Sequence, residues 1–324
     1  MAFRIHSSDF SDFIAAGPDG LTATDKNASS IRLQTPKGDI RYRELLPVRY
    51  VSILQGSYHM EEDVIISGEG TTALLEIQLN LSGTGIAYRD KLKKIHTAPA
   101  MTGNIAYLSA DENQAEIFFN RNTAYQTFDI HLPLSFLEKY AGISPKLDGF
   151  IRDIFRGHSS KLSENPIGIN PGIYNAVQDI KNCTFDGLTR KIFLEAKVYE
   201  LLALLYESAE SKKTGVKLHA SDLERIHHAA FLIRENLECP LTIIALSRTV
   251  GMNQTKLKHL FKQVFGKTLF GYLQEIRMHQ ARKYLLGTSL TIQEVSLKVG
   301  YQNASNFSIA FKNVYGYSPG QLRP

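Results

Sequence analysis

Two periodicities divide this chain. Over the first 130 residues, segments such as DIRYRELL, YVSILQGSYHM, ALLEIQLNLSG, GNIAYLSA, AEIFFN and YQTFDIHL are short, rich in Ile, Leu, Tyr and Phe, and often alternate apolar with polar positions. Gly, Asp and Asn separate them. That pattern belongs to strands with one buried face joined by turns, and it predicts an antiparallel barrel or sandwich ending near residue 132. From Pro133 to Ala209 the apolar spacing lengthens to three and four, which predicts three or four helices. The last of these, GLTRKIFLEAKVYELLALLYESA, places Ile192, Leu194, Val198, Leu201, Leu202 and Leu205 on one face.

The pattern then breaks. ESKKTGVKLHASD has no apolar period and carries Lys, Ser and Gly, so residues 211–221 read as an exposed linker between a first domain, 1–210, and a second, 222–324. Ser221 and Asp222 offer capping oxygens to the helix DLERIHHAAFLIRENLE. The expected fold class is α+β: a β-rich barrel with following helices, then an all-α domain.

The second domain writes one motif twice. FKQVFG at 261–266 returns as FKNVYG at 311–316, and the stretches before them match step for step. In the first, an apolar helix over 243–250 leads to Gly251, a cap at Asn253, and a second helix with Leu257, Leu260, Phe261 and Val264 inward. In the second, Thr291 and Glu294 form a capping box, Gly300 takes the turn, Asn303 caps, and Phe307, Ala310, Phe311 and Val314 form the inward stripe. Each half is a helix-turn-helix. Gly251 and Gly300 sit where the bend demands positive φ, which glycine adopts without steric penalty. The interval from turn glycine to Phe is 10 residues in the first half and 11 in the second, so the second turn holds one residue more. A helix with Leu273, Ile276, Ala281, Leu285 and Leu286 at helical spacing, ended by Gly287, connects the halves. At 1.5 Å per residue it makes a rod of roughly 25 Å, able to hold two recognition helices about one duplex turn apart.

Charge sharpens this picture. The chain carries 37 Lys and Arg against 32 Asp and Glu, but residues 215–324 hold 14 of the former and 6 of the latter, a net +8, leaving −3 for the rest. A basic C-terminal third on a mildly acidic protein suits a polyanion, double-stranded DNA first. Other chemistry finds little support. No GxSxG, GxxxxGK, GxGxxG or HExxH motif occurs, and His59, His96 and His131 lack the HxH-plus-Glu pattern of a metal-dependent barrel enzyme. Catalysis, metals and cofactors are not expected. Cys183 and Cys239 have no CxxC spacing and read as reduced thiols, while the adjacent His227 and His228 cannot share a metal from one helical face. Neither a secretory signal nor a membrane-spanning run appears, so the expected location is the cytoplasm, with no membrane partner.

The stretch VGYQNASNFSIAFKNVYGYSPGQLR is close to the signature of the AraC/XylS family of bacterial transcription regulators, and about a hundred C-terminal residues share the resemblance. More loosely, LTRKIFLEAKVYELLALL resembles the segment preceding the DNA-binding domain in the PchR-like, siderophore-responsive subgroup. The resemblance implies a cupin-like first domain that binds a small-molecule effector, here a ferric siderophore, with promoter DNA as target, RNA polymerase as partner if the protein activates, and a possible homodimer. It places base-edge contacts at Thr255, Lys258 and His259. Lysine can donate to guanine O6 and N7, and threonine can meet a thymine methyl. On the second recognition helix the candidates are Asn303, Ser305, Asn306 and Ile309, with Asn306 suited to adenine N6 and N7. Ile309 departs from the family, where arginine is frequent, so the second half is expected mainly to grip the backbone. Arg248, Gln254, Lys262, Lys312 and the helix start at Thr291 suit phosphate, which positions without specifying. Two alternatives remain: a first domain that only dimerises or meets a protein partner, and, more remotely, a cupin-type enzyme fused to a DNA-binding domain.

Overall fold

The structure is a computed structural model that describes residues 3–6, 28–48, 51–210 and 220–322. Most of the expected linker, 211–219, and the terminal Arg323 lie outside the described residues. Two compact units emerge, one from residues up to 168 with 176–212, the other from 169–175 with 213 onward.

The first unit is built from strands Phe3–His6 (β1), Ala28–Thr35 (β2), Gly38–Val48 (β3), Val51–Met60 (β4), Val64–Gly70 (β5), Leu74–Asn80 (β6), Ile86–Asp90 (β7), Ile95–Ala98 (β8), Thr102–Leu108 (β9), Gln114–Phe119 (β10), Thr123–Leu132 (β11), Ser160–Lys161 (β12) and Ile167–Gly168 (β13). They form two antiparallel sheets, ordered β1-β5-β10-β7-β8 and β12-β9-β6-β11-β4-β3-β2, with β13 also on β9. A shared apolar core joins the sheets: Ile40, Tyr58, Met60 and Tyr125 from the larger meet Val64, Ile66, Ile86 and Phe119 from the smaller. The barrel-or-sandwich expectation thus takes the form of two facing sheets. After Leu132 come helices Ser135–Glu138, Pro145–Phe155, Pro171–Lys181 and Gly187–Glu210. The two-residue strands β12 and β13 interrupt this stretch, where only helices are expected from spacing. On the long helix Gly187–Glu210, Arg190, Leu194, Val198, Leu201, Leu202 and Leu205 are buried, whereas Ile192 is exposed. Ile192 stands two residues from Leu194, some 200° around the helix, so it cannot share that face.

The second unit is all helical: Ala220–Glu235, Ile243–Thr249, Gln254–Phe265, the connecting helix Leu269–Gly287, Ile292–Lys298 and Ala304–Tyr315, closed by a 3₁₀ turn at Pro319–Leu322. It contains two separate apolar cores. One gathers Ile226, Leu246, Leu257, Phe261, Phe265, Tyr272 and Ile276; the other gathers Met278, Ala281, Leu285, Val295, Phe307 and Phe311. The upstream segment 169–175 joins the first. Its Ile169 carbonyl accepts from the Arg234 guanidinium at 2.5 Å, and the Tyr174 ring lies 4.3 Å from that guanidinium carbon. Two inward expectations fail here. Leu286 is exposed, one residue and about 100° beyond buried Leu285, and Val314 is exposed because Tyr315 and Tyr317 cover Phe311 instead.

Candidate nucleic-acid interface

Each half is assembled by the same local devices. Thr242 caps Ile243–Thr249 by accepting from Ala245 N at 3.1 Å, and Thr291 caps Ile292–Lys298 by accepting from Glu294 N at 3.1 Å. Only the second forms the expected capping box, through Glu294 Oε2 and Thr291 N at 2.6 Å. Both first helices close on valine, Val250 and Val299, before a glycine at φ 64° for Gly251 and 82° for Gly300. Buried Ser247 and Ser296 bond back to Ile244 and Gln293 carbonyls at 2.9 and 3.0 Å, so neither hydroxyl is left unpaired under the bend. Both recognition helices end on left-handed glycines, Gly266 and Gly316.

The caps set the phase of each recognition helix. Asn253 accepts from Lys256 N at 2.8 Å and Asn303 accepts from Ser305 N at 2.7 Å. Counted from its cap, each helix buries the residues at four, seven and eight: Leu257, Leu260 and Phe261 in the first, Phe307, Ala310 and Phe311 in the second. The extra residue of the second turn is therefore absorbed before the cap, and outward positions correspond one to one. Aromatic packing fixes the inner side, with Phe261 at 5.2 Å from Tyr272 and Phe307 at 5.7 Å from Phe311. His227 is buried edge-on against Phe265, a packing role.

The outward set follows. Gln254, Thr255, Lys258, His259 and Lys262 are exposed along one helix, and Ser305, Asn306, Ile309 and Lys312 along the other. The structure brings each set onto one face. Arg248 is also exposed, at the end of the helix before the first turn. Asn303 is exposed, but its Oδ1 is engaged in capping, which leaves only the amide nitrogen for a base. Thr291 offers less to phosphate than expected: its own N–H donates to Glu294, whose carboxylate stands at the helix start and repels an anion. Lys256, exposed between these positions, pairs with buried Asp222 at 2.8 Å. Sequence spacing gives no sign of that pair, which spans 34 residues.

The first unit holds a second polar site. On β11, Phe128, Ile130 and Leu132 are buried on one face, while Thr127, Asp129 and His131 occupy the other. In register, Asp129 stands beside Gln78 and Leu54, and His131 beside Glu76 and Ser52. His131 Nε2 lies 3.5 Å from Glu76 Oε2, Gln78 donates to Glu76 at 2.5 Å, and Ser52 donates to Glu44 at 2.6 Å. Burial first, then the Glu76 charge, pushes the Asp129 carboxyl up to about 7. Burial works against the His131 cation, yet the hydrogen bond and charge of Glu76 outweigh it and raise that pKa. Tyr42, two strands away on the same face, is pushed up to about 12 by burial. Farther along the same strands, Tyr58 and Tyr125 are buried in the core between the two sheets. His59, His96 and His131 each neighbour a different carboxylate, Glu61, Asp90 and Glu76. Among the described residues, no cluster fit to hold a metal and no helix long and apolar enough to cross a membrane occurs. Cys183 is half-buried and Cys239 exposed, without a disulfide.

Comparison with known proteins finds two family matches along the chain. A helix-turn-helix domain family matches residues 246–324, and the family described as the regulatory protein PchR N-terminal domain matches residues 38–218. Regulatory protein PchR of Pseudomonas aeruginosa is 38% identical over 109 residues, 33% of this chain and 37% of that protein. The HTH-type transcriptional regulator ArgR of the same organism is 30% identical over 99 residues, 31% of this chain and 30% of that protein. The chain thus spans about a third of the length of these curated relatives. A solved structure of an AraC-type DNA-binding-domain transcriptional regulator from Chromobacterium violaceum is 30% identical, covering 32% of this chain and 94% of that one, with a TM-score of 0.30. With the PchR N-terminal domain over more than half its length and the doubled helix-turn-helix behind it, the chain belongs to the AraC-type regulators, in the branch that carries the PchR regulatory domain.

Proposed function

We propose that this protein is a sequence-specific DNA-binding transcription regulator, controlled by a small molecule that its N-terminal unit binds. The observation that carries this reading is the matched pair of recognition helices: alike in the residues buried at the fourth, seventh and eighth positions from the cap, open along the opposite face, and set in a region of net +8. In the first half Thr255, Lys258 and His259 read base edges while Arg248, Gln254 and Lys262 hold phosphate. In the second, Ser305, Asn306 and Ile309 face the bases and Lys312 the backbone, with Asn303 adding its amide nitrogen. The regulatory domain matched over 38–218 supports effector control, and the ferric siderophores associated with the PchR-like branch are the class to try first. The sheet face that carries Glu76, Gln78, Asp129 and His131 supplies hydrogen-bonding groups beside the apolar core at Ile40 and Met60, the usual make-up of a ligand site.

The test is gel shift and footprinting of the full chain on DNA selected from a random library. Binding should fall steeply with salt, log affinity dropping by about 0.9 per phosphate contact for each tenfold rise. A protein that binds selected and random duplex equally, or with no salt dependence, is not this regulator. Thermal-shift measurements with ferric siderophores then test effector control, a stabilised first transition being the expected result.

A further inference from the structure

The connecting helix changes allegiance at one residue. Leu269, Tyr272, Leu273 and Ile276 are buried in the first core, and Met278, Ala281 and Leu285 in the second, so the division falls at Arg277. Packing across it is incomplete: a cleft of about 330 Å³, lined by Phe270, Leu273, Gln274, Tyr301 and Ala310, opens beside the Arg277 side chain. The guanidinium spans what the cores do not. Its Nε donates to the Leu237 carbonyl at 2.9 Å, and Nη2 donates to the Leu237 and Glu238 carbonyls at 2.7 and 3.3 Å, all just beyond helix Ala220–Glu235 of the first half. On its other side the guanidinium carbon lies 5.4 Å from the Tyr301 ring centroid, in the turn of the second half. Gly300 completes the joint. A Cβ there would overlap the Arg277 guanidinium and come within 2.6 Å of the Glu238 carbonyl oxygen. The first turn has an arginine too, but Arg225 donates to the Gly251 carbonyl at 2.9 Å and stays within its own half.

We propose that Arg277 is the positioning residue that locks the two helix-turn-helix halves in register, so that both recognition helices engage DNA as one body rather than as two tethered readers. It touches no DNA itself; it acts through the second turn. This rests on the DNA-binding reading above. Two linked binding modules gain affinity only when their geometry lets both engage at once, and a rigid joint makes that gain depend sharply on the spacing between their sites.

The experiment uses the full chain, an operator selected with the wild-type protein, the same operator with either box scrambled, and versions with one base pair inserted between the boxes. Wild type should bind the intact operator at least tenfold more tightly than either single-box form, and lose about tenfold on insertion. Arg277→Ala should bind each single-box duplex within about twofold of wild type, yet lose about tenfold on the intact operator and become indifferent to the insertion. Arg277→Lys, which keeps the charge but lacks the planar fork that fixes both carbonyls in one geometry, should fall between, and provides the readout if the alanine variant does not fold. Arg225→Ala should keep the wild-type spacing profile. Equal losses on single- and double-box DNA, or an unchanged spacing profile in both Arg277 variants, overturn the proposal and leave the DNA-binding reading standing. A wild-type protein that selects no DNA overturns both.

Discussion

The two helix-turn-helix halves are copies underneath and strangers on top. Counted from Asn253 and Asn303, their buried residues coincide at the fourth, seventh and eighth positions and part at the twelfth, where Phe265 is buried and Tyr315 half-buried, whereas their outward ones pair Thr255 with Ser305, Lys256 with Asn306, Lys258 with half-buried Ser308, and His259 with Ile309. Only Lys262 and Lys312 agree. The scaffold is held by packing, which admits few residue types per position. The reading surface is not held by core packing, and there the halves have parted: one is cationic, the other nearly neutral. The division of labour expected from that difference is that the first half supplies most of the electrostatic attraction and the second mostly adds fit.

Four measurements would break or sharpen this comparison. The largest effect belongs to the shared scaffold. Phe261→Ala and Phe307→Ala should each cost about 3–5 kcal/mol, seen as a lowered melting transition of the C-terminal unit, because each empties a buried aromatic site. If one proves harmless, the halves are not structural equals. Next come the turns. Gly251→Ala should cost about 1 kcal/mol, the strain of a left-handed alanine, since nothing crowds its Cβ closer than Arg225 at 3.9 Å. Gly300→Ala should cost about 2 kcal/mol or more, adding the collision with Arg277. Equal costs would mean the second joint is loose.

On the surface, Lys258→Ala should weaken binding about tenfold and relax base preference, while Ser308→Ala stays within about twofold. Lys312→Ala should weaken all sequences alike and reduce the salt slope by about one. A larger loss from Ser308 than from Lys258 would invert the assigned roles.

The smallest effect contrasts the dry helical cores with the polar sheet face. Asp129 holds its proton to about pH 7 in the folded state but releases it near 4 when unfolded, so the stability of the N-terminal unit falls as pH rises across that window. His131, raised above its ordinary value, contributes stability below about 6.5 that disappears as pH climbs through its folded pKa. Both signs agree. The N-terminal unit should melt lower at pH 8 than at pH 5, and Asp129→Asn should shrink that difference. An unchanged difference would show Asp129 to be ionised and solvated throughout.

How far these features were legible in the letters depends on the range of the interaction. Capping oxygens, turn glycines and inward stripes act within a few residues, so Asn253, Asn303, Gly300 and the one-residue excess of the second turn are readable from spacing alone. Errors arose where a residue sits at a stripe's edge. Ile192, Leu286 and Val314 are apolar and near the right phase, but what covers them is decided by neighbours far along the chain. Arg277 and Arg234 escaped for the same reason: their partners are carbonyl oxygens 39 and 65 residues away, which no side-chain pattern announces. The polar face did leave a trace, since Thr127, Asp129 and His131 alternate with Phe128, Ile130 and Leu132. Which side of that alternation turns inward depends on strand pairing.

Between Phe265 and Leu269 only three residues intervene, a left-handed glycine and a capping threonine among them. So short a link has no slack to lend. A recognition helix cannot tilt without dragging the connecting rod along, and the unit therefore meets its target as a stiff gauge. Any mismatch in groove width or phase falls on the duplex to absorb, so operators that flex easily at the right steps will be favoured over equally well-lettered ones that resist.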